Sequence, residues 1–339
     1  MTNAKAKIAV IGTGYWGKNL VRNFAEIGSL YAICDENQQT LGEQQEKHNI
    51  QKTFTSYKDV LASEDIDAVV IATPAVTHHK IAKAAILAGK DVFVEKPLSL
   101  KVKEAEELIG LANTHNKILM VDHILQYHPA VIKLKELIDN GVLGKLQYIY
   151  SNRLNIGKLR HEENILWSFA PHDISVLLSL AGQDPQKIRV FGEAYVQDAV
   201  VDSTITYIDF KDRLKAHIFV SWLHPYKEQK FVVIGNKAMA VFDDMSKDNK
   251  LVLYPHKIEW INQVPVAEKA EQEIISLESK EPLKEACLHF LDCLETRNQP
   301  RTDGREALAV LKILEQAQEE LDSKNEKTKK GFRSLFKLR

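Results

Sequence analysis

The 339-residue sequence is poor in cysteine. It has three, Cys34, Cys287 and Cys293, and none sits in a C-x-x-C pair. So sparse and odd a set argues against a disulfide framework. The chain also lacks net charge: the formal value is −1, so no global field draws nucleic acid or anionic membrane. No uninterrupted apolar run approaches the ~18 residues needed to span a bilayer. No signal-type apolar segment opens the sequence, where Lys5 and Lys7 lead straight into a strand pattern. A reducing cytoplasm is the expected location. No internal repeat is visible. What remains is an ordinary globular composition, 45% hydrophobic and 27% charged, in a chain long enough for two domains.

The first half alternates strands and helices. Lys7–Ile11 is an apolar run that ends in Gly12-Thr13-Gly14-Tyr15-Trp16-Gly17. A helical pattern follows, with Leu20, Phe24 and Ile27 on one face, and then a second strand, Leu30–Cys34, that stops at Asp35. Strand, G-x-G-x-x-G, helix, strand and acid form the dinucleotide-binding fingerprint in its structural context. Gly12 permits the tight turn, Gly14 lets the backbone approach a pyrophosphate, and Gly17 lets the helix sit close to the strand. Tyr15 and Trp16 lie within the same loop. The helix N-terminus offers free N–H groups to phosphates. Asp35 can accept from both hydroxyls of an adenosine ribose, and its charge opposes a 2′-phosphate. With Glu36 next and no arginine nearby, NAD is favoured over NADP. Asp35 can also cap a helix over Gln38–Lys47, and the two roles do not exclude each other.

Further units repeat the pattern. Asp67–Ala72 is a strand broken by Thr73-Pro74, and Thr77–Leu87 is a helix that carries His78. Asp91–Val94 is a strand that stops on Glu95-Lys96-Pro97. Proline has no N–H for a sheet ladder, so Glu95 and Lys96 fall at the carboxyl edge of the sheet, where open α/β sheets bind ligands. A helix over Lys101–Asn113 and a strand over Ile118–Val121, ending at Asp122-His123, complete a parallel, doubly wound sheet. Adjacent His78 and His79 point apart on a helix and lack other ligands at metal spacing, so no metal site is expected.

The texture changes after Pro129. A helix over Val131–Ile138 precedes β-rich segments at Leu146–Asn152, Ile188–Val196, Ser203–Phe210, Leu214–Trp222, Phe231–Gly235 and Ala238–Phe242. A helix is expected from about His172 to Ala181, since Pro171 suggests its start. Helices over Leu283–Arg297 and Gly304–Leu321 close the chain. The expected fold is α/β: a Rossmann parallel-sheet domain over 1–125, then an α+β domain over 126–322 with a large open, mostly antiparallel sheet. The last helices are free to pack back on the first domain. Residues 323–339 form a basic tail with Phe332, Leu335, Phe336 and Leu338 interleaved. It reads as a solvated end or as a short segment that touches anionic membrane or a partner.

These motifs, in this order, resemble the Gfo/Idh/MocA family of NAD(P)-dependent oxidoreductases. The resemblance is carried by Gly12–Gly17, Ala72-Thr73-Pro74 with His78, Glu95-Lys96-Pro97, Trp167–Asp173 and Pro300–Gly304. It implies a Rossmann domain, a sheet through which members form homodimers or homotetramers, and reversible oxidation of a carbinol on a sugar or cyclitol. The segment from Trp167 is most similar to members that act on nucleotide sugars in bacterial surface-polysaccharide pathways. An inositol or free-sugar dehydrogenase and a non-catalytic NAD-binding sensor are the alternatives. The family's lysine falls on Lys96 and its second-domain histidine on His172, while Glu95 is implied as a cofactor contact. The aspartate that relatives often carry four residues before that histidine falls on Ser168.

Hydride loss from a secondary alcohol needs a group to take the hydroxyl proton. Lysine is a weak base for this at its ordinary pKa of ~10.4, but a positive nicotinamide ring and partial burial both disfavour the ammonium. Lys96 is therefore expected to be primed in the oxidised complex. His172 can serve as a second acid/base or a substrate ligand. Ser168, four residues earlier, can hydrogen-bond but cannot hold charge. Tyr127, His128 and Asp173 are further candidates for substrate contact.

Overall fold

The computed structural model describes residues 6–335, apart from Lys158 and Ala199, and only the backbone path for residues 324–335. Among the described residues no helix is long and apolar enough to cross a membrane.

The first unit runs to His128 and includes Lys280–Leu311. Its strands are β1 (Ile8–Ile11), β2 (Leu30–Cys34), β3 (Lys52–Phe54), β4 (Ala68–Ile71), β5 (Asp91–Val94) and β6 (Leu119–Val121). They pair in parallel in the order β3-β2-β1-β4-β5-β6. This is the doubly wound order, which reverses direction between β1 and β4 and opens a crevice there. Strands β1, β4 and β5 are buried along their whole length, as parallel strands covered on both faces must be. The helices are α1 (Gly17–Ile27), α2 (Gln38–His48), α3 (Tyr57–Ala62), α4 (His78–Leu87) and α5 (Val102–Thr114). Leu20, Val21 and Phe24 form the buried stripe of α1.

The chain re-enters this unit late. After the second unit's α6 (Pro129–Asp139) and α7 (Ile165–Ala181), the helix α8 (Pro282–Thr296) packs Leu283, Ala286, Cys287 and Phe290 into the Rossmann core. The rings of Phe93 and Phe290 lie 5.3 Å apart. The chain first leaves the unit after His128, and residues 280–311 bring it back. The Pro300–Gly304 linker joins the sheet edge. Val121 N–H donates to the Thr302 carbonyl at 2.8 Å, and Thr302 Oγ1 donates to the Val121 carbonyl at 2.6 Å.

The second unit comprises Pro129–Ser279 and the chain from Lys312. Its strands are β7 (Leu146–Leu154), β8 (Lys187–Glu193), β9 (Ser203–Asp209), β10 (Lys215–Ser221), β11 (Glu228–Gly235), β12 (Met239–Asp243), β13 (Leu251–Tyr254), β14 (Lys257–Ile261), β15 (Val264–Glu268) and β16 (Glu273–Ile274). Eight of them form one sheet, β16-β13-β12-β11-β7-β10-β9-β8. All its pairs are antiparallel except β7 with β10. Strands β14 and β15 make a separate hairpin.

Two sequence expectations need correction. Pro171 does not start a helix: α7 begins at Ile165, capped by Asn164, whose side chain accepts from the Trp167 N–H. A proline inside a helix costs one backbone hydrogen bond and some strain. Here eleven buried residues of α7 outweigh that cost. The final helix, α9 (Gly304–Leu335), runs well past Leu321. The tail side chains on which a membrane or partner contact would depend lie outside the described residues.

Candidate active site

The carboxyl ends of β1, β2, β4, β5 and β6 all meet one edge of the first unit's sheet, and each ends in a polar or glycine-rich turn. At β1 the Gly12–Gly17 loop packs against β4. A Cβ on Gly12, whose φ is +89°, would lie 2.7 Å from the Ala72 carbonyl oxygen, and one on Gly17 would lie 2.0 Å from the Gly12 carbonyl oxygen. Neither position admits a side chain. A Cβ on Gly14 would meet nothing within 4 Å. That is the open cradle a pyrophosphate needs at the start of α1. Tyr15 is exposed, and Trp16 is partly so.

At β2, Asp35 closes the loop. Its Oδ2 accepts from the Thr13 N–H at 2.7 Å and from Thr13 Oγ1 at 3.1 Å, while Oδ1 accepts from the Asn37 N–H at 2.9 Å. Asn37, not Asp35, caps α2. Asp35 is thus left at the strand end, partly exposed beside the glycine loop. The loop and this acid together fit an adenine dinucleotide.

At β4, Thr73 and Thr77 share a hydroxyl hydrogen bond of 2.7 Å. His78 is buried, with Nδ1 2.7 Å from the Pro97 carbonyl oxygen and Nε2 2.8 Å from that of Thr73. Its ring therefore ties the Thr73-Pro74 turn to the Glu95-Lys96-Pro97 turn. Burial pushes its pKa down, and the two carbonyl acceptors pull it back up.

At β5, the Glu95 N–H donates to the Ile71 carbonyl at 2.8 Å. The Lys96–Pro97 peptide is cis. At β6, the Asp122 N–H donates to the Val94 carbonyl at 2.8 Å. Val94 is in register with Val121, so the next residues, Glu95 and Asp122, leave adjacent strands side by side. The Glu95 carboxyl is held well above the usual carboxylate range, first by burial and then by Asp122. Asp122 is raised by burial too. The Trp16 indole N–H acts on both groups in the opposite sense, towards ionisation. Sequence reading did not single out Asp122. Its signal was the same as that of Asp35 and Glu95: an acid directly after an apolar strand.

Tyr127 is turned into the core of the first unit. Its hydroxyl lies 3.0 Å from Thr302 Oγ1, and burial raises its pKa. His128 is also buried. In the second unit, Ser168 and His172 both lie on α7, four residues apart and so on one face. Ser168 is buried and His172 half-buried. Asp173 is buried, accepts from Ser151 Oγ at 2.5 Å and pairs with the Arg153 guanidinium on β7. That pairing fixes α7 against the sheet and uses the Asp173 carboxylate inside the unit.

Among the described residues, His289, Asp292 and Cys293 on α8 group as metal-type ligands. The chemistry of this set does not suit a metal. His289 Nε2 already accepts from the Arg301 N–H at 3.0 Å, and burial pushes the Cys293 thiol up to about 11.

Two family models match the chain. The model of the Gfo/Idh/MocA oxidoreductase family, NAD-binding Rossmann fold, covers residues 6–123, and that of the Gfo/Idh/MocA C-terminal domain covers residues 131–241. Over 306 residues the chain is 27% identical to a UDP-N-acetylglucosamine 3-dehydrogenase of Acidithiobacillus ferrooxidans, covering 90% of this chain and 94% of that protein. A solved structure of that dehydrogenase superposes with a TM-score of 0.81 at 25% identity, covering 93% of this chain and 96% of that one. An uncharacterized oxidoreductase of Streptococcus pneumoniae is 32% identical, covering 70% of this chain and 68% of its own. A myo-inositol 2-dehydrogenase of Thermotoga maritima is 26% identical, covering 73% and 78%.

Proposed function

The chain belongs to the Gfo/Idh/MocA oxidoreductase family, with its NAD-binding Rossmann fold, and on that premise we propose that it interconverts a secondary alcohol and a ketone on a nucleotide sugar, with Lys96 moving the hydroxyl proton. One observation carries the reading. The open cradle at Gly14, Asp35 at the end of β2, and Lys96 after β5 all lie at the carboxyl edge of a single parallel sheet. The nucleotide-sugar class rests on the similarity to the UDP-N-acetylglucosamine 3-dehydrogenase over nearly the whole chain.

NAD, when bound, supplies the hydride acceptor, and NADH the donor in reverse. The chain supplies the rest. The Gly12–Gly17 backbone and the α1 N-terminus receive the diphosphate. Asp35 accepts from the ribose hydroxyls and disfavours a 2′-phosphate. Lys96 takes the carbinol proton as the hydride leaves and returns it in the other direction. In the second unit, His172 on α7 is the candidate for sugar hydroxyls, and Ser168, four residues earlier on the same face, can hydrogen-bond but holds no charge. A second copy of the chain associates through the exposed face of the eight-stranded sheet.

The test is a panel of nucleotide sugars, free sugars and inositols, followed by NADH absorbance at saturating cofactor. Turnover is expected with a nucleotide sugar. Turnover confined to inositols would move the substrate class. Tight NAD binding with no turnover would indicate a cofactor sensor. Lys96→Ala should lower kcat by on the order of 10²–10⁴-fold and leave NAD affinity within a few-fold. Normal turnover in that variant would remove Lys96 from the mechanism.

A further inference from the structure

The ends of β5 and β6 place two acids where two charges cannot both be sustained. Glu95 follows Val94, Asp122 follows Val121, and those valines are paired in register. Neighbouring strands lie ~4.8 Å apart, so side chains that leave them together meet. Asp122 is 1% exposed. Among the described residues, Oε1 of Glu95 and both oxygens of Asp122 are shut off from solvent and have no partner in full hydrogen-bond geometry, although the Trp16 indole N–H acts on both carboxyls from nearby. A buried carboxylate without a donor is costly, and two side by side are costlier. A single proton shared between them removes one charge and supplies the missing donor at once.

We infer that Asp122 is a positioning residue of the lysine chemistry: paired with Glu95, it holds one shared proton beside Lys96. The inference rests on the reading of Lys96 as the proton acceptor. With one proton the pair carries a single negative charge next to the lysine. That charge stabilises the ammonium formed when Lys96 takes the substrate proton. The one proton the cluster keeps thus sits on the acid pair and not on Lys96; moving it to the lysine would double the charge of the pair and leave no base to accept the substrate proton.

The surroundings of the pair are mixed in sign. Lys96 favours ionisation of both acids, His123 favours that of Asp122, and the Trp16 indole N–H acts on both in the same sense. The Cys287 thiol of α8 is pushed up first by burial and then by Asp122 and, more weakly, Glu95; the Tyr127 phenol is pushed up by burial, with Asp122 adding to it. His123 is itself bound to Glu306 of α9 through Nδ1 and Oε2 at 2.5 Å. Because Trp16 belongs to the glycine loop, the acid pair also joins the cofactor cradle to the catalytic turn.

Two measurements test this. For oxidation by the wild type, kcat/KM should fall on the acid side as Lys96 becomes an ammonium. Asp122→Asn and Glu95→Gln each keep one negative charge in the pair and should leave that acid limb nearly in place. The double variant Glu95→Gln with Asp122→Asn removes the charge, so the ammonium is less stabilised and the limb should move to lower pH by about one unit or more. Independently of turnover, infrared spectra at neutral pH should show a protonated-carboxyl stretch in the wild type that is absent from both single variants. An acid limb that stays in place in the double variant would overturn the inference. So would a wild type with no protonated carboxyl, or a stretch that persists in both single variants. Lys96→Ala should keep the infrared stretch while losing turnover. Retained turnover there would remove the lysine reading and leave the acid pair standing.

Discussion

Asp35 commits Oδ2 to Thr13 and Oδ1 to the Asn37 N–H, so its carboxylate shapes the glycine loop before any cofactor arrives. Each oxygen carries two lone pairs, and Oδ1 has one left for a ribose hydroxyl. The two roles separate by substitution. An asparagine oxygen can still accept from Thr13, but it carries no charge to oppose a 2′-phosphate. Asp35→Asn should therefore narrow the preference for NAD over NADP, mainly by improving NADP. Asp35→Ala removes the Thr13 contact as well and should weaken both cofactors. The ratio of kcat/KM values for NAD and NADP checks this, and an unchanged ratio in Asp35→Asn would count against the ribose role. Asp35 was legible in the sequence because the fingerprint fixes its place after β2. Asp122 occupies the equivalent place after β6, yet no motif marks it. Its meaning depends on the pairing of β5 with β6, which spacing along one chain does not state.

Helix α7 shows how an element can defeat local rules. Proline ordinarily marks a helix boundary, yet the helix runs through Pro171 from Ile165. Its apolar faces are buried, and Asp173 pins it to β7 through Ser151 and Arg153. Arg153 is largely buried with its partner, so removing the acid strands a charge. Asp173→Ala should cost about 3–5 kcal/mol in unfolding free energy. Asp173→Asn, which keeps the hydrogen bond from Ser151, should cost less. Chemical denaturation gives the comparison. Equal stability of Asp173→Ala and wild type would show that the pair does not hold the helix. Because His172 is the next residue, a loosened α7 should also raise KM. The strands from β7 to β12 were readable as alternating β-branched and aromatic runs. The later strands were not. The segment Leu251–Tyr254 is short, and the β14–β15 hairpin turns on Asn262 and Gln263, both at positive φ but without the glycine that signals such turns.

At the scale of the whole molecule, the eight-stranded sheet has one face that its own unit leaves open. Helix α7 and the buried side of β7, β9 and β10 account for Ile149, Ile208, Ala216, Ile218 and Val220. An antiparallel sheet can present its other face to water, and that face is then usually polar. Here it is aromatic. Tyr150 stacks on His217 at 5.2 Å with the rings 2° from parallel, Tyr148 Oη lies 2.8 Å from His217 Nδ1, and Tyr207 meets both His217 and Phe191. Phe191 is 56% exposed and Tyr207 37%. A patch of this kind on neighbouring strands is suited to an isologous contact, in which the same residues of two copies meet across a two-fold axis. The wild type is therefore expected to sediment as a dimer or a tetramer at micromolar concentration. Placing arginine at both Phe191 and Tyr207 would set like charges against each other across that axis and bury them without partners. The double variant should shift to a smaller species while the Rossmann unit, which shares none of these residues, still binds NAD. An unchanged mass would place the contact elsewhere on the chain. A monomeric wild type would leave the aromatic face without the partner proposed for it.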